Sequence, residues 1–225
     1  MNELALAVSE LHFQAGKKVI LDQVTFSIRK GTVFAVVGHN GAGKTTLFHL
    51  ILGLKIQSSG RIELSGRSNL ERHARSDLGY VAERPYLNLN FKFRDFLLFH
   101  AKLMGIPFSE QQKEVQRVAG EVGLQNHLPQ ALSTFSKGML QKTLIAQSMI
   151  GNPQVMILDE PMSGLDPEAR GSVRAHIQKW KQDGKTIIFS SHALEDVEQL
   201  SDEVIILKEG KVQFLGSVQE WRNQR

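Results

Sequence analysis

The run Gly38-His39-Asn40-Gly41-Ala42-Gly43-Lys44-Thr45 fits G-x-x-x-x-G-K-[ST] in full, and few folds can host it. The apolar residues Val33 to Val37 precede it, and Thr46-Leu47-Phe48-His49-Leu50-Ile51-Leu52 follows with a helical pattern. A buried parallel strand, a glycine loop and a helix N-terminus together form a cradle for a polyphosphate. The backbone N–H groups point inward and the helix dipole favours the anion. On this reading Gly38 to Thr46 bind the nucleotide, Lys44 reaches its β- and γ-phosphates, and the Thr45 hydroxyl sits on Mg²⁺. The bare pattern arises by chance in roughly one chain in a hundred of this length. A strand before it and a helix after it make chance far rarer.

A length of 225 residues suits one sizeable core, or a core with a subdomain. Lys plus Arg is 27 against 23 Asp plus Glu, so the formal charge is only +4. No basic stripe alternates with aromatics, so nucleic acid is not an expected partner. The absence of cysteine excludes disulfides and thiolate metal sites. Met1 to Ala5 lack a signal-peptide layout, and no apolar run nears the ~18 residues of a membrane span. The expectation is a soluble, cytoplasmic protein.

The chain from Leu4 to Phe34 reads as short β-type runs with turns, joined by a further strand at Arg61 to Leu64. Their alternation predicts an antiparallel sheet against the nucleotide core. Leu78 to Val81 is a short strand that leads into an irregular stretch at Ala82 to Asn90. Helices are predicted from Arg94 to Met104, from Ser109 (capping box with Gln112) to about Val122, and from Ser136 to the stop at Gly151-Asn152-Pro153. Strands and helices then alternate. Asp166 and Pro167 open a helix that buries Val173, Ile177 and Trp180. The predicted subregions are 1–84 with 151–225 as an α/β core carrying the β subdomain, and 85–150 as an inserted helical subdomain.

Val155-Met156-Ile157-Leu158-Asp159-Glu160 is an apolar strand that delivers two carboxylates at its C-terminal end, where open α/β sheets bind ligands. Asp159 is assigned to Mg²⁺. Glu160 is assigned to the attacking water. An acidic turn capping a core strand is the plainer alternative, and the phosphate loop outweighs it.

Phe135-Ser136-Lys137-Gly138-Met139-Leu140-Gln141-Lys142, shortly before that strand, resembles the signature motif of ABC-transporter nucleotide-binding domains, in the Ser-Lys-Gly-Met form of some exporter ATPases. Ser163-Gly164-Leu165-Asp166 resembles their D-loop, and His192 their switch histidine. The five motifs stand in the family's order across almost the whole chain.

The resemblance implies a P-loop NTPase (RecA-like) α/β core with an antiparallel β subdomain and an inserted α-helical subdomain, an ATPase using ATP and Mg²⁺. It implies a homodimer that sandwiches two nucleotides, with Ser136, Lys137, Gly138 and Met139 facing the ATP of the partner chain. Glu160, His192 and Lys44 are then catalytic, and Thr45, Asp159 and Glu83 serve the metal. A separately encoded transmembrane permease would dock at Tyr86, Leu87, Leu89 and Phe91. The chain would lie peripherally on the inner face of the cell membrane, with no room for a regulatory C-terminal domain. The rival reading is a non-transport ABC-type ATPase driving an envelope or motility assembly.

Two departures from the family pattern stand out. Ala15 falls where an adenine-stacking aromatic is usual, with Phe13 as a candidate substitute, and Glu83 replaces a glutamine. Phe96 and Phe99 are expected to pack in the core.

Overall fold

The computed structural model describes residues 3–83 and 87–224. Two long antiparallel strands, β1 (Leu4–Ala15) and β2 (Lys18–Arg29), open the chain. Their register slips between Val8 and Leu11 and again between Leu11 and Phe13. Such bulges break the two-residue alternation, which is why one long strand reads as several short runs. The nucleotide-binding motif then lies between β3 (Val33–Val37) and α1 (Lys44–Ile51), followed by β4 (Ser59–Leu64), β5 (Arg67–Ser68) and β6 (Leu78–Val81). Three helices come next: α2 (Phe93–Leu103), α3 (Phe108–Glu121) and α4 (Lys137–Ser148). The chain closes with β7 (Val155–Leu158), α5 (Pro167–Gln182), β8 (Thr186–Ser191), α6 (Leu194–Leu200), β9 (Glu203–Lys208), β10 (Lys211–Ser217) and α7 (Val218–Asn223).

The strands form two sheets, β2-β1-β4-β5 and β10-β9-β3-β8-β7-β6. The first is antiparallel; the second is parallel except for its edge strand β10. β3 lies centrally, flanked by β8 and β9, so all five of its residues are buried. Phe34 and Val36 face α1 and the antiparallel sheet, whereas Val33, Ala35 and Val37 face the helices of the other layer. Helix α1 fills the space between the sheets with Leu47, Phe48, Leu50 and Ile51. Phe26 stacks on Phe34 across the same layer, with ring centroids 5.4 Å apart. Each such fully buried side chain contributes roughly 1.5–3 kcal/mol. The C-terminal ends of β3, β6, β7 and β8 share one edge, and the functional motifs emerge there.

The helical layer packs through Phe93, Phe96, Leu97 and Ala101 of α2 and Val115, Val118 and Ala119 of α3. Arg117 pins α3 to the end of α4: its guanidinium grips the Glu114 carboxylate through two bonds and also donates to Met149 O, 2.9 Å away. Two sequence expectations are corrected here. Phe99 is 50% exposed rather than packed in the core. It lies about 60° further round the helix than Phe96, and its ring meets Phe91 at the surface, 6.3 Å between centroids. Ser109 does not cap α3. Pro107 is extended, its carbonyl accepts from Glu110 and Gln111 N–H, and the helix therefore starts at Phe108 with Ser109 already inside it.

Candidate active site

Helix α1 starts without a capping side chain and with no acidic residue in its first turn. Its first N–H groups are left without an intrahelical acceptor and concentrate positive potential at the helix end. Gly43, the residue before the helix, holds φ at 109°, a conformation open to glycine. A Cβ there would also lie 2.7 Å from Leu21. The loop is closed by Ala42 N–H donating to His39 O at 3.1 Å. It faces a cavity of about 510 Å³ lined by Asn40, Gly41, Gly43, Lys44, Thr45 and Thr46 together with Lys18, Ile20, Glu83 and Glu160. An uncapped helix end aimed into a cavity of that size is a receptor for a polyphosphate.

Lys44 is buried, and its ammonium donates to Gly38 O at 2.7 Å. It also forms an ion pair with Glu160, Nζ to Oε1 being 3.3 Å. The other carboxylate oxygen of Glu160, Oε2, lies 2.9 Å from His192 Nδ1. A carboxylate oxygen accepts, so in this contact Nδ1 is the donor. Lys44, Glu160 and His192, widely separated in sequence, thus meet at the end of β7.

The backbone around these carboxylates is wired through Ser190, on β8. Its hydroxyl donates to Asp159 Oδ1 at 2.6 Å and accepts from Glu160 N–H at 2.8 Å. Asp159 is fully buried, and its N–H donates to Val81 O. Glu160 holds φ at 47°, in the left-handed region costly for a residue with a Cβ. Tyr80 packs beside this acidic corner. Burial pushes its phenol up to about 12, with Asp159 and then Glu83 adding to the shift.

Of the sequence-assigned residues, Thr45 and Thr46 line the cavity at the first turn of α1, and Glu83 borders both this cavity and a neighbouring one. Phe13 is not part of the cavity: it packs against the core between the sheets and under the Lys55 ammonium, 5.4 Å from its ring centroid. Lys18 and Ile20 occupy the adjacent wall instead, and neither was singled out from the sequence. Ser190 was missed as well. A small polar residue closing the apolar run Ile187-Ile188-Phe189 was the available signal.

The segment 135–142 leads into α4. Ser136 is exposed, and its hydroxyl accepts from Met139 N–H at 3.2 Å as an N-cap. Asp166 caps α5 through Ala169 N–H at 2.8 Å, with Pro167 at the first helical position. Ser136, Gly138 and Met139 share a shallow cavity of about 210 Å³ with Asp166, and Ser163, Gly164 and Leu165 complete the loop before α5. Of the residues assigned to a docking surface, Leu89 and Phe91 are exposed and Leu87 is half-buried against the helical core. Tyr86 lies outside the described residues.

The residues present fit Mg²⁺. Asp159 Oδ2 is buried with no hydrogen-bond partner, an acceptor that an ion or its water shell would satisfy. Among the described residues no three His, Asp or Glu side chains cluster as a dedicated metal cage. Mg²⁺ does not require one: it is held by one or two carboxylates, a hydroxyl, water and phosphate oxygens.

The ABC transporter family model matches residues 21–163. The chain is 39% identical over 206 residues to an uncharacterized ABC transporter ATP-binding protein of Nostoc sp., spanning 91% of this chain and 62% of that one. It is 36% identical over 207 residues to a lantibiotic transport ATP-binding protein of Streptococcus pyogenes, spanning 92% and 88% of the two. The solved structure of cbiO1 from Clostridium perfringens, part of the ABC transporter complex cbiONQ, matches with a TM-score of 0.88 at 29% identity over 99% of this chain and 92% of that one. The chain thus covers less than two thirds of the length of its Nostoc relative.

Proposed function

The chain belongs to the ABC transporter family of ATP-binding proteins, a family of ATPases, and we propose that it hydrolyses ATP to drive a separate membrane-spanning permease, as an exporter subunit. The observation that carries this reading is the 510 Å³ cavity at the uncapped start of α1, with Lys44 and Glu160 paired on its wall. The triphosphate lies along the loop Gly38 to Thr46, its charge met by backbone N–H groups and by Lys44. Lys44 then leaves Glu160 for the γ-phosphate, and Glu160 Oε1 becomes free to accept the proton of an attacking water. His192 holds the other oxygen of that carboxylate and lines up with the γ-phosphate. Thr45, Asp159 and Glu83 hold Mg²⁺, which when bound neutralises phosphate charge.

Two chains pair so that Ser136 and the N–H groups of Gly138 and Met139 close over the partner's nucleotide, with the loop 163–166 between the two sites. An exposed helix N-terminus of this kind suits an anion delivered from outside its own chain. Leu87, Leu89 and Phe91, with Tyr86, form the permease contact. The Ser-Lys-Gly-Met signature and the lantibiotic transport relative support export. Among the described residues no helix is long and apolar enough to cross a membrane, and the chain works peripherally on its inner face.

Glu160→Gln tests the base directly. The variant is expected to bind ATP, to lose about 10²–10³-fold in kcat, and to accumulate as an ATP-bound dimer by light scattering. Wild-type turnover in that variant rejects the assignment.

A further inference from the structure

We propose that Lys137 is a positioning residue: by a hydrogen bond within its own chain it fixes the loop from Ser163 to Asp166, and through that loop the aim of Glu160. The proposal rests on the reading of Glu160 as the base for ATP hydrolysis.

Lys137 is the first residue of α4, and its exposed ammonium donates to Gly164 O at 2.6 Å. Charge-assisted bonds to a backbone carbonyl are among the stronger ones available at a surface. Gly164 sits at φ +64°, and a Cβ there would lie 2.5 Å from Lys137 Nζ. A Cβ there would push the lysine's flexible end off the carbonyl, and the positive φ itself favours glycine. On the other side of the same turn, Ser163 N–H donates to Glu160 O at 3.0 Å. That carbonyl belongs to the residue held in a left-handed conformation, φ 47°.

A strained backbone of this kind persists only while its surroundings over-determine it. For Glu160 the surroundings are four: Ser190 on its N–H, Ser163 on its carbonyl, and Lys44 and His192 on its carboxylate. ATP removes Lys44 from that set on the proposed mechanism, so the hold on the carbonyl matters most when the nucleotide is bound. Lys137 and Glu160 also face one cavity of about 490 Å³ that includes Ser163 and Gly164. With open space beneath it, the loop's position depends on the few bonds at its rim, and Lys137 supplies the one that comes from the signature helix.

The test uses the full-length chain and the variants Lys137→Met, Lys137→Arg, Gly164→Ala and Lys137→Met with Gly164→Ala. Hydrogen exchange at residues 163–166 should quicken about tenfold in Lys137→Met, with the melting temperature unchanged. ATP turnover should fall about tenfold in kcat with KM for ATP within twofold, because Lys137 lines no part of its own chain's phosphate cavity. Arginine should restore at least a third of kcat. Gly164→Ala should match Lys137→Met, and the double variant should be no worse than the worse single one. Unchanged exchange overturns the tether. A raised KM with kcat intact assigns the ammonium to bound nucleotide and overturns it too. If the wild-type chain turns over no ATP, the enzymatic reading fails, and the exchange comparison still decides whether Lys137 holds the loop.

Discussion

Helices α1 and α4 both carry a glycine beside their first turn, Gly43 and Gly138, yet their N-termini are finished in opposite ways. Helix α1 has no capping side chain, and its lysine is buried against Gly38 O and Glu160. The start of α4 is exposed, and Ser136 satisfies one of the helix's first N–H groups. The first is a socket left open inside the chain, so an anion supplies what the fold omits. The second is met in part by its own serine, and Met139 N–H can turn to a ligand only when that hydroxyl lets it go. The two helix ends are thus distinguished by how far the chain alone satisfies them. That asymmetry fits a site whose second wall comes from another copy.

The contrast is broken most strongly at Lys44. Lys44→Ala removes the charge aimed at the phosphates and leaves the buried Glu160 without its cation. ATP affinity of the isolated chain should fall about 10²–10³-fold, since losing a buried ammonium–phosphate contact costs about 2–5 kcal/mol of binding. Equilibrium binding of a fluorescent ATP analogue checks this. Retention of wild-type affinity would show that the uncapped helix end suffices alone.

The second wall should respond differently. Ser136→Ala should leave ATP affinity of the monomer within twofold and lower turnover by about 30-fold. Loss of the cap costs about 1 kcal/mol in stability, which could mimic a functional effect. Ser136→Asp separates the two: it keeps a capping oxygen, and so the melting temperature, but sets a negative charge where the partner's phosphate must arrive. Turnover that survives in the Asp variant would mean that Ser136 is only a cap.

How far the two regions could be read beforehand follows the same division. The phosphate loop was legible because its ligands are consecutive backbone N–H groups, so sequence order is also spatial order. The strand carrying Asp159 and Glu160 was legible because four apolar residues ending in two acids cannot face a core throughout. Long-range bonds were not. Ser190 is 31 residues from Asp159, and a serine in a strand announces no partner. The Lys137 contact with Gly164 joins a helix start to a distant loop and leaves no periodic trace. Phe99 was misjudged because an aromatic count ignores where a helix's buried face ends, and Ser109 because Pro107 had already set the entry to α3.

Ser190 gives the smallest and most diagnostic effect, because it holds the Asp159 carboxylate and the Glu160 backbone and lines no part of the 510 Å³ cavity. Its hydroxyl is the shared partner of Asp159 Oδ1 and Glu160 N–H inside a fully buried strand. Ser190→Ala leaves both groups unsatisfied, at about 1–3 kcal/mol each. For a chain of this size a loss of 1 kcal/mol lowers Tm by about 2–4 °C, so calorimetry should find a drop of several degrees. Glu160 keeps Lys44 and His192 and loses only one backbone anchor, so kcat should fall about fivefold with little change in KM. Ser190→Thr retains the hydroxyl but adds a methyl group to a packed strand; it should recover kcat more fully than Tm. If Ser190→Ala instead lowers Tm and leaves kcat untouched, the bond is structural, and Glu160 is aimed from the loop side alone.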